Sequence, residues 1–332
     1  MIITRTPFRI SFFGGGTDYP TWYREHGGAV ISTSIDKYCY ITCRRLPQFF
    51  EHKHRIVYSK IENVKEIAEI QHPAVRGILD WAKVTDGLEI HHDGDLPARS
   101  GLGSSSSFTA GLIHAIYALN GQMVSKERLA CESINMEQNI LGENVGSQDQ
   151  IAAVYGGFNR IDFHRNDSFI VSPLVVPKYR LTDLTDHLML CFTGFSRFAS
   201  EVAKSKIDNF KNREKEMKAI GSMVEEAIAI LQNPNRPIDD FGKLLHDSWM
   251  FKRSLSDKIS NPEIDEMYEA AMSAGAVGGK ILGAGGGGFL LLFVCPENQA
   301  KVRAKLKNLI HVPFKFEDSG SRVVLYQPDG LS

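Results

Sequence analysis

Pro97-Ala-Arg-Ser-Gly-Leu-Gly-Ser-Ser-Ser-Ser107 is the segment on which the reading turns. It follows the strand-like run 88–92 through Asp93-Gly-Asp-Leu96. It enters a stretch in which Phe108, Leu112, Ile113, Ile116 and Leu119 recur at helical spacing. A strand, a glycine-rich turn and a helix in that order bring free backbone N–H groups and a helix amino terminus to one point, where an anion is stabilised. The serine hydroxyls can donate to phosphate oxygens or ligate magnesium. The segment lacks the Gly-Lys-Ser/Thr of a Walker A loop, and Ser105 and Ser106 stand where a dinucleotide GxGxxG needs its later glycines. Alone, it reads equally well as a serine-capped helix after a flexible turn.

Outward from this loop, strands are expected over 1–13, 30–43, 54–59, 88–92, 188–192, 280–282, 289–294, 312–316 and 321–326, with two more within 158–177. Helices are expected over 73–83, after residue 107, over 125–141, 147–156, 198–231 and 237–259, from Pro262, and over 297–309. A capping box of Ser147 and Gln150 would open the helix at 147. Strands and helices mix without regular βαβ alternation, which argues an α+β fold. The 332 residues suit two domains, with the expected boundary near residue 180, giving halves 1–180 and 181–332.

Bulk properties exclude several classes. The chain is 43% apolar and 23% charged with a net charge of −1, so it carries no electrostatic footprint for nucleic acid or an anionic membrane. Acids are interleaved with the lysines between Lys204 and Lys218, which reads as a solvated helix face. No long apolar run predicts a membrane span, and the amino terminus does not read as a signal peptide. Cys39, Cys43, Cys131, Cys191 and Cys295 are odd in number and lack CxxC spacing, as expected of reduced thiols in a cytoplasmic protein. Nothing sets the oligomeric state, a homo-oligomer included.

Two further glycine segments flank the first in sequence. Gly283-Ala-Gly-Gly-Gly-Gly288 lies between apolar strands and holds more glycines than a hairpin needs. It marks close approach of a ligand, or a tight packing crossover. In Arg5-Thr-Pro-Phe-Arg-Ile-Ser-Phe-Phe-Gly-Gly-Gly-Thr-Asp18 a strand ends in a polar tip; Arg9 alone could sit at a solvated strand edge, and Asp18 alone could be a turn residue. Glu137 falls on the apolar stripe of Ala130, Ile134 and Leu141, a costly position without a cation or a donor, so magnesium or an arginine is expected beside it. Asp149 lies in the first turn of the next helix, close enough in the chain to face the same cleft. His91 and His92 are adjacent on a strand and point to opposite faces, which argues against a shared metal ion.

Together the three segments resemble the GHMP kinases, the galacto-, homoserine, mevalonate and phosphomevalonate kinases. The likeness runs from Arg5-Thr-Pro-Phe-Arg9 through Pro97 and Gly101-Leu-Gly-Ser-Ser105 to Lys280-Ile-Leu-Gly-Ala-Gly-Gly-Gly-Gly-Phe289. Phe12-Phe-Gly-Gly-Gly-Thr-Asp18, Gly146-Ser-Gln-Asp-Gln150 and Phe192-Thr-Gly-Phe-Ser-Arg197 look most like the members acting on heptose 7-phosphates at the anomeric hydroxyl. Gly14-Gly-Gly-Thr-Asp18 stands where galactokinases carry Gly-Glu-His-Thr-Asp, and fucokinases share the glycine-rich version.

The resemblance implies a ribosomal-S5-like amino-terminal domain with a left-handed β-α-β crossover and a ferredoxin-like carboxy-terminal domain. It implies ATP held by Pro97, Ser100, Gly101, Leu102, Gly103, Ser104, Ser105, Ser106 and Ser107, and Mg²⁺ on Ser105 and Glu137. It implies Asp149 as the base or orienting group, aided by Arg9, with a sugar or sugar phosphate held by Gly15, Gly16, Thr17, Asp18, Gly285, Gly286 and Gly287. Arg197, Lys252 and Arg253 are candidates for the far phosphate, and Lys280 could reach phosphate. A non-catalytic sugar and ATP sensor is the alternative from another class, but Glu137 and Asp149 are both present. A dinucleotide oxidoreductase lacks a proper GxGxxG.

Overall fold

The computed structural model describes residues 1–195 and 199–328. The alternating run at the amino terminus forms β1 (Ile2–Phe13), followed by α1 (Pro20–His26), with proline at its first position. Next come β2 (Gly28–Arg45), β3 (His54–Val57), β4 (Ile61–Val64), α2 (Pro73–Trp81) and β5 (Leu88–Gly94). Helices α3 (Ser104–Leu119), α4 (Lys126–Asn135) and α5 (Gln148–Tyr155) lead to β6 (Phe158–Phe163) and β7 (Phe169–Pro173). The second half holds α6 (Lys178–His187), β8 (Leu188–Phe192), α7 (Ala199–Asn209), α8 (Glu214–Gln232), α9 (Asp239–Ser254) and α10 (Pro262–Ser273). It ends with β9 (Ala276–Ile281), β10 (Phe289–Val294), α11 (Pro296–Lys305), β11 (Ile310–Val312), β12 (Phe316–Glu317) and β13 (Arg322–Tyr326).

These elements build two sheets. The nine-stranded sheet runs β13-β1-β2-β5-β3-β4, with β6 and β12 also on β2 and β7 on β6. All its pairs are antiparallel except β3 with β5, which flank α2 in the chain. The second sheet has the order β11-β8-β10-β9. Numbered within that half, this is fourth-first-third-second, the ferredoxin-like arrangement of two split β-α-β units. The expected α+β, two-domain architecture is therefore present. One detail departs from a simple division at residue 180: β12 and β13 return to the first sheet and pair with β2 and β1.

The halves share a core. Phe12 and Phe13 at the end of β1 meet Phe241 of α9 edge to face, with ring centroids 5.5 and 5.0 Å apart. Helix α3 lies on β1, close enough for the Thr4 hydroxyl to donate to the Gly111 carbonyl at 2.9 Å. A residue larger than glycine at 111 would crowd Thr6 and Ile41.

Three local readings change. The expected helix over 198–231 is broken at Phe210–Arg213 by a tighter turn that separates α7 from α8. The helix expected over 125–141 ends in a wide π turn at Met136–Ile140. Ser147 makes no capping bond: its hydroxyl accepts from Gln138 Nε2 at 3.0 Å, and the Gln150 side chain donates to Glu137 instead of reaching back.

Candidate functional site

The site gathers where β1, the loop before α3, the π turn after α4 and the start of α5 converge. Gly103 takes a left-handed conformation (φ 74°) and hands the chain into α3, whose first amide groups are left without helical acceptors. Ser100 donates to the Pro97 carbonyl at 2.7 Å, Ser104 accepts from the Arg99 amide at 3.1 Å, and Ser107 donates to the Pro7 carbonyl at 2.8 Å. These bonds fix the shape of the loop. Leu102 is buried as its apolar anchor.

Arg9 is not at a solvated edge. It is buried, its backbone N–H donates to the Leu102 carbonyl at 3.0 Å, and its guanidinium donates to Gly101 O at 2.6 Å. The guanidinium also grips Asp149 with two parallel bonds, Nε to Oδ1 at 2.8 Å and Nη2 to Oδ2 at 2.6 Å. The two residues expected to act together are thus in direct contact beside the serine-glycine loop. Asp149 keeps 28% of its side chain exposed toward the cleft, while Arg9 keeps 4%.

Glu137 is fully buried, as its place on an apolar stripe required. Its Oε2 accepts from Ser106 Oγ at 2.9 Å and from the Gln150 amide, whereas its Oε1 is buried without a partner. Burial, with a smaller push from Glu143, raises its carboxyl to about 7. Ser105 was the serine expected to share magnesium with Glu137; the serine in contact with Glu137 is Ser106. Ser105 is exposed, and the next position along the helix turns the Ser106 hydroxyl inward. An orphaned carboxylate oxygen beside a hydroxyl is a pair of hard oxygen donors that suits Mg²⁺.

Further buried polar atoms are orphaned here: Ser11 Oγ, Gln148 Oε1 and Gln150 Oε1. Unpaired polar atoms are costly in a finished core and are expected where a ligand completes them. The sequence reading missed Ser11, Gln148 and Gln150; their only signal is proximity in the chain to Arg9 and Asp149.

The Gly14–Asp18 tip packs tightly. A side chain at Gly14 would strike the Ala29 carbonyl at 1.9 Å, and the Thr17 hydroxyl, with one proton to donate, lies within reach of Gly14 O at 2.8 Å and Ala29 O at 3.0 Å. Asp18 is buried and accepts from the Gly16 amide at 2.8 Å. Burial pushes its carboxyl up, and Lys206 and the Gly16 amide pull it down.

The other predicted contacts fall differently. Lys252 is buried and donates to Ile281 O at 2.8 Å and Gly283 O at 2.7 Å, so it clamps the entry of the last glycine run rather than opening to the cleft. Lys280 likewise donates to the Phe12 carbonyl at 2.7 Å, and burial pushes its ammonium down to about 7. Arg253 pairs with Asp265 at 2.7 Å. Arg197 lies outside the described residues. Gly285 and Gly287 press on Ile259 and Phe195, and the Gly286 amide donates to Ile259 O at 2.8 Å, so this stretch is a packing crossover. His91 turns to Glu89 at 2.9 Å while His92 packs edge-on against Phe108, in keeping with separate faces. Lys206, read as part of a solvated face, is instead buried against Tyr19 and Gly16.

Comparisons with known proteins agree with this architecture. Residues 63–157 match the GHMP kinases N terminal domain and residues 217–311 the GHMP kinases C terminal domain. A D-glycero-alpha-D-manno-heptose 7-phosphate kinase from Campylobacter jejuni is 30% identical over 310 residues, 90% of this chain and 91% of that protein. A bifunctional fucokinase/GDP-fucose pyrophosphorylase from Arabidopsis thaliana is 26% identical across 89% of this chain and 30% of its own length. Among solved structures, a D-glycero-D-manno-heptose 1-phosphate kinase from Bacteroides thetaiotaomicron superposes with a TM-score of 0.80 at 22% identity, covering 97% of this chain and 98% of that one. Among the described residues no helix is long and apolar enough to cross a membrane.

Proposed function

Because this chain belongs to the GHMP kinases and is a sugar kinase, a phosphotransferase with an alcohol group as acceptor, we propose that it moves the γ-phosphoryl group of ATP to the anomeric C1 hydroxyl of D-glycero-D-manno-heptose 7-phosphate. The product is the 1,7-bisphosphate, an intermediate toward nucleotide-activated heptose. The observation that carries the reading is the Arg9–Asp149 ion pair held against the Ser100–Ser107 loop, with the orphaned Glu137 oxygen nearby. The choice of acceptor is supported by the heptose 7-phosphate kinase among the relatives.

In this reading the free amides up to Ser106 hold the triphosphate, and Glu137 with Ser106 would hold Mg²⁺. When bound, Mg²⁺ neutralises charge on the transferring phosphoryl oxygens. Asp149 accepts the C1 hydroxyl proton or orients that hydroxyl, and an anomeric hydroxyl, more acidic than an ordinary alcohol, asks little of its base. Arg9 fixes Asp149 and stabilises transition-state charge. Asp18 and the Gly15–Thr17 backbone take the sugar hydroxyls. Residues 1–180 supply the ATP side and 181–332 close over the acceptor.

The test measures ADP release with ATP, Mg²⁺ and a panel of free and phosphorylated hexoses and heptoses, and places the new phosphate by ³¹P NMR. The expected best acceptor is heptose 7-phosphate, phosphorylated at C1; a preference for free fucose would replace the acceptor and leave the kinase class. Asp149→Ala is expected to lower kcat by roughly 10²- to 10⁴-fold while ATP-analogue binding persists. Unchanged turnover would remove Asp149 from its role, and loss of analogue binding would make it a nucleotide ligand.

A further inference from the structure

Four cationic side chains are buried around the cleft: Arg9, Lys206, Lys252 and Lys280. Three are engaged by protein acceptors. Arg9 is bonded to Asp149 and Gly101, Lys252 to the Ile281 and Gly283 carbonyls, and Lys280 to the Phe12 carbonyl. Lys206 differs. On α7, where Lys204 faces solvent, it turns inward and is 4% exposed. Its ammonium lies 4.4 Å from the centre of the Tyr19 ring, and among the described residues no carboxylate is within ion-pair reach and no acceptor takes its protons.

A buried ammonium with idle donors is costly unless something completes it. The charges that act on Lys206 are Asp18 and Asp149, and Lys206 in turn acts on Lys252 and Lys280. Burial pushes the Lys206 ammonium down, with the two acids opposing. Lys206 Nζ is 4.0 Å from where a β-carbon of Gly16 would stand, which places the ammonium beside the glycine-rich tip.

We infer that Lys206 is the phosphoryl-binding cation of the acceptor subsite, donating to the phosphate carried by the sugar. Two phosphates could meet it, that of the acceptor or the γ-phosphate of ATP. The acceptor is favoured because Lys206 approaches the Gly16–Tyr19 tip, whereas the free helix amides and the Glu137–Ser106 pair are on α3 and its neighbours. A neutral sugar would offer the Lys206 ammonium no charged partner. The inference rests on the sugar-phosphate reading above and deepens it: where Lys252 and Arg253 are engaged by protein groups, Lys206 is a buried lysine with no acceptor among the described residues.

Calorimetric titrations of wild type, Lys206→Met and Lys206→Gln with D-glycero-D-manno-heptose 7-phosphate, free D-glycero-D-manno-heptose and a non-hydrolysable ATP analogue test this. Losing charge-assisted bonds to phosphate should weaken the sugar phosphate roughly 10- to 150-fold, with the free heptose and the ATP analogue little changed. Equal losses for heptose and its phosphate, or a loss confined to the ATP analogue, overturn the assignment. So does a variant that keeps the wild-type preference for the phosphate. Lys206→Gln keeps polar packing without charge and carries the test should Lys206→Met fail to fold. A wild type that binds heptose and heptose 7-phosphate equally well would instead remove the substrate reading itself, and this assignment with it.

Discussion

The loop at 100–107 and the run at 283–288 look alike in sequence and do opposite work. In the first, Gly101 and Gly103 bend the chain so that hydroxyls and helix amides converge beside Arg9, Asp149 and Glu137. In the second, the missing β-carbons are answered by backbone. Substituents at Gly283, Gly285, Gly287 and Gly288 would strike Gly101, Ile259, Phe195 and Ser100, each within 3.0 Å. The Phe289 amide even donates to the Ser100 carbonyl at 3.1 Å, so the second run braces the first. Glycine density therefore reports that something approaches closely without saying what. The neighbouring side chains decide: hydroxyls in one case, apolar strands in the other.

The largest effect that could break this contrast is in the bracing run. Gly288 has φ of 93°, and an added β-carbon would stand 2.2 Å from the Ser100 carbonyl oxygen. Gly288→Ala is expected to destabilise the chain by about 3 kcal/mol through strain and overpacking, read by urea unfolding. If stability were unchanged and only the acceptor KM rose, the run would be a substrate contact after all.

A smaller effect sharpens the first loop. Ser106→Ala removes the hydroxyl beside Glu137 and is expected to weaken Mg²⁺ roughly tenfold, about the worth of one hydrogen bond to a charged group. Ser105→Ala, at an exposed position, should leave it within the small range typical of surface changes. Magnesium dependence of turnover measures both, and the reverse ranking would restore Ser105 as the ligand.

The smallest is a slope with pH. Lys280, on the strand entering the second run, is ordinarily protonated up to 10.5 but is pushed down to about 7 by burial, then by Arg9 and Lys206. Between those values the unfolded chain holds a proton that the folded chain has released. This lysine's penalty to the fold is therefore full below about 7 and fades as pH rises toward 10.5. Lys280→Met should flatten the rise of unfolding free energy with pH across that window; an unaltered slope would mean that Lys280 keeps its proton on folding.

Much of this was legible beforehand where the signal is local. The alternation of β1, the caps at Pro73 and Pro262 and the turn before α3 follow from neighbours in the chain. The readings that failed needed information across the fold. Lys206 shares its stretch with Lys204, and only the break at Phe210–Arg213 and the packing of α7 on Tyr19 turn one inward and leave the other in water. Lys252 was a phosphate candidate by charge alone, and the two carbonyls that occupy it lie about thirty residues away.

The sequence by itself determined the α+β class, the family, the glycine-rich loops and the acid on the apolar stripe of residues 130–141, because backbone conformation and hydrophobic periodicity are set within a few residues. Which serine meets Glu137, which glycines serve packing, and which of four buried cations keeps its donors idle were decided only by the tertiary structure. Hydrogen-bond satisfaction is settled among groups far apart in the chain, and a charged side chain's role depends on what has already claimed its protons.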